Sequence, residues 1–228
     1  MMDRNGFADR REAGRLLART VQSLDIVNPV VLGLPRGGVP VAFEVAKALA
    51  APLDVLLVRK IGAPGHEEYG IGALVDGASP HVIIDEQAAR AVGADRDYID
   101  RQIAKQLIEI ERRRTLYRTG PPIPLKGRAV IVVDDGIATG GTVRAALKAL
   151  AMVEPAHVVL AVPLAPRETL LELQELCDQI VCLLSPHPFY AVGLHYRNFD
   201  QTEDAEVIQL LAQARSWEQP GMRVATVH

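Results

Sequence analysis

VIVVDDGIATGGT, residues 130–142, is the stretch on which the reading of this chain turns. Four β-branched residues run directly into two adjacent carboxylates, Asp134 and Asp135. A loop of small residues follows, with Gly136, Gly140 and Gly141 interleaved with Thr139 and Thr142. A short, unbroken apolar run is how a strand covered on both faces of a parallel sheet reads. Glycines let the chain turn sharply and let a ligand approach the backbone. Thr142 then opens a helix, whose free N–H groups and dipole favour an anion, and the two threonines add hydroxyl donors. The loop lacks the lysine of a Walker A sequence and does not have the GxGxxG spacing. Taken alone, its glycines would suit a plain strand-to-helix turn equally well.

The carboxylates shift that balance. Two adjacent negative charges at the end of a buried strand are unfavourable without partners. The C-terminal strand ends of an open α/β sheet are also where ligands bind. Sugar hydroxyls, with a divalent cation nearby, would satisfy both acids. Phosphate at the helix start and hydroxyls at the aspartates together describe a ribose 5-phosphate.

Working outward, similar apolar runs occur at Val30–Leu34, Leu53–Val58, His157–Val162 and Gln179–Leu184. Helical patterns fall at 10–24, 39–50, 95–118, 142–152, 166–177 and 203–215. Strands alternating with helices predict an α/β fold with a doubly wound, mostly parallel sheet and flanking helices. One domain over 1–228 is expected, with a core at about 26–183 and a small variable hood from about 1–25, 77–94 and 185–228. Hydrophobic residues make up 49% of the chain, enough for a large core, while aromatics at 4% disfavour an all-β sandwich. The glycine-rich segment Ile61–Asp76 reads as a long mobile loop.

The net charge of −3 argues against a dedicated nucleic-acid binder. The cations Arg101, Lys105, Arg112, Arg113, Arg114 and Arg118 are interrupted by Asp100, Glu109 and Glu111, so they read as a solvated helix face. Cys177 and Cys182 read as small buried hydrophobes. His187 and His195 lack a third ligand, which argues against a metal site there. The charged start has no apolar signal region, and no run is long enough to span a membrane, so a cytoplasmic protein without membrane attachment is expected.

Over residues 130–142 the chain resembles the phosphoribosyl-diphosphate (PRPP) motif of type I phosphoribosyltransferases. The resemblance implies a Mg2+-dependent glycosyltransferase of nucleotide metabolism that moves ribose 5-phosphate from PRPP to a small nitrogenous acceptor. It places the ribose hydroxyls on Asp134 and Asp135, and the 5′-phosphate on Ala138, Thr139, Gly140, Gly141 and Thr142. Mg2+ would then be met by Asp134 and Asp135 through water or ribose hydroxyls rather than by a closed cage. A second loop, LGLPRGGVPVA, follows the first predicted strand; Arg36 offers a planar cation, and Gly37 and Gly38 free the backbone. By resemblance this loop binds diphosphate and carries a non-proline cis peptide, expected at Arg36–Gly37. Arg59 and Lys60, at the end of the second predicted strand, would grip diphosphate as it leaves. The loop after them would close over the site and exclude water.

The acceptor is less defined. Members acting on 6-oxopurines carry an aspartate where Ala138 stands, whereas ATGGT and the Arg59–Gly70 pattern look closer to adenine enzymes. The loop is nevertheless shorter than theirs and lacks a second lysine, and it lacks the added basic residues of orotate enzymes, so no common salvage class is matched. Phe189, Tyr190, Tyr196 and Phe199 could stack on a flat base or could simply pack the hood. His66, Glu67 and Glu68 could move a proton or be solvated loop residues. The resemblance also leaves open a non-catalytic PRPP-binding regulatory protein and makes a homodimer an expectation. A metal-dependent phosphohydrolase ranks last, because that chemistry wants more acidic ligands at separated positions.

Overall fold

The structure, a computed structural model, describes residues 6–76, 80–118, 120 and 122–217, without the side chain of Glu68. The proton-transfer role considered for Glu68 and the hood positions 1–5, 77–79 and 218–228 therefore lie outside the described residues. In chain order the first half contains α1 (Arg10–Gln22), β1 (Pro29–Gly33), α2 (Gly38–Leu49), β2 (Leu53–Val55), β3 (Val58–Ala63), β4 (His66–Val75) and β5 (His81–Ile84). Then come α3 (Glu86–Ala91), α4 (Arg96–Tyr117), β6 (Ala129–Val133), α5 (Gly141–Ala151), β7 (His157–Leu164), α6 (Arg167–Leu173), β8 (Gln179–Leu184) and α7 (Asp204–Trp217).

Five strands form a parallel sheet in the order β2-β1-β6-β7-β8. Strand periodicity sorts its side chains to two faces. Val31, Ile131, Val133, Val159 and Ala161 pack under α1, α2 and α7. Val30, Leu32, Val130, Val132 and Leu160 pack under α5 and Leu173 of α6. Both faces are covered, which explains why these strands read as continuous rather than alternating apolar runs. Helix starts follow local chemistry: the Asp9 side chain accepts the Glu12 N–H at 2.7 Å, and Asp95 accepts the Tyr98 N–H at 2.7 Å.

Two expectations are corrected here. The run Leu53–Val58 is two strands, because β2 ends at Val55 and β3 begins at Val58. Ile61–Asp76 is not a loop; β3, β4 and β5 form an antiparallel sheet that holds most of it. Its glycines are demanded by crowding between strands. A Cβ on Gly62 would lie 2.4 Å from the Glu67 carbonyl oxygen, and one on Gly72 would lie 2.5 Å from that of Ile83. Ile61 and Ile71 are buried against Ala89 of α3 and Ile99 of α4, and the Tyr98 hydroxyl donates to the Gly62 carbonyl at 3.0 Å.

A buried ion cluster ties this sheet to the main one. Arg118 sits between Asp54 (3.2 Å) and Asp76 (2.5 Å), and Arg114 also pairs with Asp76. Asp76 is fully buried at its side chain, so these guanidinium groups are its counter-charges. Arg112 and Arg113 pair with Glu109 at 2.9 and 2.8 Å. Those basic residues of α4 are engaged within the chain. Among the described residues, no helix is long and apolar enough to cross a membrane.

Candidate active site

β6 delivers Asp134 and Asp135 to the C-terminal edge of the parallel sheet, and the next residues wrap around the start of α5. Gly140 adopts φ 74°, the left-handed region, directly before the first residue of that helix. A Cβ there would also lie 2.7 Å from Cγ2 of Thr169. The Thr169 hydroxyl donates to the Ala138 carbonyl at 3.0 Å, and the Ile137 N–H donates to the Leu164 carbonyl at 2.9 Å. Anchored in this way, Ala138, Thr139, Gly141 and Thr142 remain exposed beside the α5 N-terminus, where a phosphate is favoured.

The loop after β1 lies against the two acids. The Leu34 N–H donates to the Val133 carbonyl at 2.9 Å. A Cβ on Gly37 would lie 2.0 Å from Oδ2 of Asp135; one on Gly38 would lie 2.7 Å from the Val133 carbonyl oxygen and 2.9 Å from Cα of Asp134. Neither position has room for a side chain, so the glycines let the two loops touch. The non-proline cis peptide is Pro35–Arg36, one residue earlier than expected. Arg36 is partly exposed, with Nη1 3.9 Å from Asp204 and 4.0 Å from Glu203 at the start of α7.

Each aspartate already has partners. Asp134 Oδ1 accepts the Asp135 N–H at 2.9 Å, and Asp135 Oδ2 accepts Nε of Arg10 at 2.7 Å. Burial, and secondly the neighbouring Asp135 charge, push the Asp134 carboxyl well above its ordinary range. Burial also raises Asp135, opposed by Arg10. A pair of acids under this pressure is suited to a ligand that brings hydroxyl donors or a cation. Two hard carboxylates at one strand end fit Mg2+ held mainly by water and ligand oxygens. Among the described residues, no three His, Cys, Asp or Glu side chains are grouped to hold a metal.

Arg59 and Lys60 part company because adjacent strand residues face opposite ways. Lys60 lines a cavity of about 400 Å³ together with Thr139, Gly141, Thr142 and Asp85. Arg59 instead donates to Gln106 of α4 at 3.0 Å, where burial, then nearby Arg113, lowers its pKa. It does not line the cavity that Lys60 lines, which corrects its placement beside Lys60. His66 and Glu67 line a separate hollow with Tyr69 and Val92.

The aromatic tail forms a wall. Tyr196 is 7% exposed, and its hydroxyl donates to the Asp135 carbonyl at 2.5 Å. Its ring lies 5.4 Å from that of Phe7 and 4.9 Å from that of Phe199. Burial, then the charge of Asp135, raises its phenol pKa. The Arg10 guanidinium covers the Phe199 ring at 3.9 Å, and Phe189 stacks on His195 at 5.7 Å. Tyr196 therefore cannot stack on a base, while Tyr190 is 78% exposed. Arg10, Glu203 and Asp204 are the site residues missed in the sequence. Arg10 is 125 positions from Asp135, and no local pattern joins them.

A family model described as "Phosphoribosyl transferase domain" matches residues 8–197. A protein of Mycobacterium tuberculosis strain H37Rv, named "Putative phosphoribosyl transferase", is 47% identical over 209 residues, 91% of this chain and 47% of its own length. This chain thus spans about half the length of the curated relatives it matches. The "Bifunctional protein PyrR" of a Synechococcus species is 38% identical over 104 residues, 45% of this chain and 56% of that one. The crystal structure of TT1426 from Thermus thermophilus superposes with a TM-score of 0.79 at 42% identity, covering 91% of this chain and 98% of that one.

Proposed function

We propose that this chain, which belongs to the phosphoribosyl transferase family, transfers ribose 5-phosphate from PRPP to a nitrogenous base and releases diphosphate. The observation that carries the reading is the contact of two loops at one sheet edge. Asp134 and Asp135 abut the Arg36–Gly38 turn so closely that Gly37 and Gly38 cannot carry a Cβ. A donor with hydroxyls between two phosphate ends matches that layout. Asp134 and Asp135 would accept the ribose hydroxyls, residues 138–142 would hold the 5′-phosphate, and Arg36 with the backbone of Gly37 and Gly38 would hold diphosphate.

In the reaction, a nitrogen lone pair of the base forms a bond to C1 of the ribose as the bond from C1 to the diphosphate oxygen breaks. Positive charge develops on the sugar and negative charge on the leaving group, so fixed cations lower the barrier. Arg36 and Lys60 are the protein's candidates for the leaving-group side; Arg59 is turned towards Gln106. Bound Mg2+ would supply further positive charge to the diphosphate. With Tyr196, Phe199 and Phe189 engaged in the wall, exposed Tyr190 remains the aromatic candidate for the acceptor. Ala138 supplies no carboxylate for a 6-oxopurine.

Incubation with PRPP, Mg2+ and a panel of bases should release diphosphate with one class of base and identify it. Asp134→Asn combined with Asp135→Asn should abolish PRPP binding while the circular dichroism spectrum is retained. Undiminished PRPP affinity of that double variant in calorimetry would sink the assignment. PRPP binding without release for any base would identify a regulatory protein instead.

A further inference from the structure

Arg10 is held at three points by two distant parts of the chain, Asp135 and the 199–200 segment. Its Nε donates to Asp135 Oδ2 at 2.7 Å, its Nη1 donates to the Asp200 carbonyl at 2.6 Å, and its guanidinium lies 3.9 Å from the centre of the Phe199 ring. The ion pair is largely buried, with side-chain exposures of 12% for Arg10 and 14% for Asp135. It is thus unlike an exposed pair, whose geometry is loose and whose contribution is small. The planar guanidinium fork makes these contacts at once, which a lysine ammonium cannot reproduce. Asp135 is correspondingly confined. Its carbonyl accepts the Tyr196 hydroxyl, its Oδ2 accepts from Arg10, and the same oxygen lies over Gly37 with no room for a methyl group between them.

We propose that Arg10 is a positioning residue for the ribose end of the site, fixing the Asp135 carboxylate so that its other oxygen meets a sugar hydroxyl. The proposal rests on the phosphoribosyl reading above, since it takes Asp135 as a ribose-holding group. It makes α1 and the 196–200 segment working parts of the donor site rather than a cover over it. Phe199 acts one step further out, as the plate that keeps the guanidinium in place. A competing account is that Arg10 only staples α1 to the sheet. A staple would support every ligand of the site alike, whereas a positioning group for Asp135 supports those that carry ribose.

Calorimetry in the presence of Mg2+ separates these accounts, with PRPP, ribose 5-phosphate and inorganic diphosphate titrated into wild type, Arg10→Gln, Arg10→Lys and Phe199→Leu. Loss of one charge-assisted hydrogen bond predicts that Arg10→Gln weakens PRPP and ribose 5-phosphate about tenfold or more. Diphosphate should stay within about threefold of wild type, since it meets Arg36 rather than Asp135. Arg10→Lys, which keeps the charge without the fork, should recover part of the loss. Phe199→Leu leaves Arg10 in the chain and should shift the two ribose ligands in the same direction by less. Wild-type affinity for the ribose ligands in Arg10→Gln, or a parallel loss of all three ligands, overturns the positioning role and leaves the donor assignment standing. Failure of wild type to bind PRPP overturns the donor assignment, and the positioning role with it.

Discussion

Replacing Gly37 with alanine places a methyl group 2.0 Å from Oδ2 of Asp135 and 3.3 Å from Nε of Arg10. Gly37 has φ −60° and ψ −32°, a conformation alanine adopts freely. In open space the change would stabilise the protein by about 0.4–1 kcal/mol by narrowing the unfolded ensemble. The contact decides the sign. A carbon–oxygen approach of 2.0 Å is inside any ordinary contact distance, so the carboxylate must swing away from its 2.7 Å bond to Arg10. Losing a hydrogen bond between charged groups costs about 1.5–3 kcal/mol. Overpacking costs about 1–3 kcal/mol, and the two overlap because relieving one produces the other. Subtracting the unfolded-state gain leaves a net destabilisation of about 0.5–2.5 kcal/mol. For a chain of this size that corresponds to a fall in Tm of about 1–10 °C. The control is Gly141→Ala at the first residue of α5, where an added Cβ meets nothing within 4 Å. Its Tm should stay level or rise slightly. Thermal melts followed by circular dichroism without ligand give both values. A Gly37→Ala protein that melts at or above wild type, or that shifts in step with Gly141→Ala, would refute the reasoning.

Arg118→Met should destabilise the fold by about 3–5 kcal/mol in urea titrations, because it leaves Asp54 and Asp76 buried with one fewer cation. A loss below about 1 kcal/mol would mean that Arg114 alone balances Asp76. Hydrogen bonding from Arg112, then Arg113, pulls the Glu109 carboxyl down to about 2 from its ordinary 4.5. A depressed folded-state pKa contributes stability that is present above 4.5 and lost as pH falls from there through about 2. The acid limb of stability against pH should therefore be shallower in Glu109→Gln, and an unchanged limb would remove Glu109 from the account.

The Asp134–Thr142 part of the candidate site is legible in the sequence because it is local. Val130–Val133, the two aspartates and the loop to Thr142 are contiguous, and strand, charge and glycine signals fall on neighbouring residues. Arg36–Gly38 was readable for the same reason, as a second turn at a strand end. The segment Ile61–Asp76 reads as a loop in sequence because glycine signals both a flexible loop and two backbones too close for a Cβ. Only the partner strand, with the Glu67 and Ile83 carbonyls, separates those cases. Arg59 and Lys60 read as equivalent in sequence; the split between β2 and β3 puts both in another sheet, where alternation turns Lys60 towards Thr139–Thr142 and Arg59 towards Gln106.

What the sequence by itself determined is the doubly wound α/β core, the position of the glycine-rich loop after β6 and the family to which the chain belongs. These rest on periodicity and on short motifs whose physics acts between neighbours. What only the tertiary structure decided is how the ends of the chain complete the site. Tyr196 and Phe199 became wall rather than platform, and Arg10 became the partner of Asp135 across 125 residues. The physical reason is that burial and charge pairing are properties of places in space. Both depend on which distant segments the packed core brings to the same sheet edge.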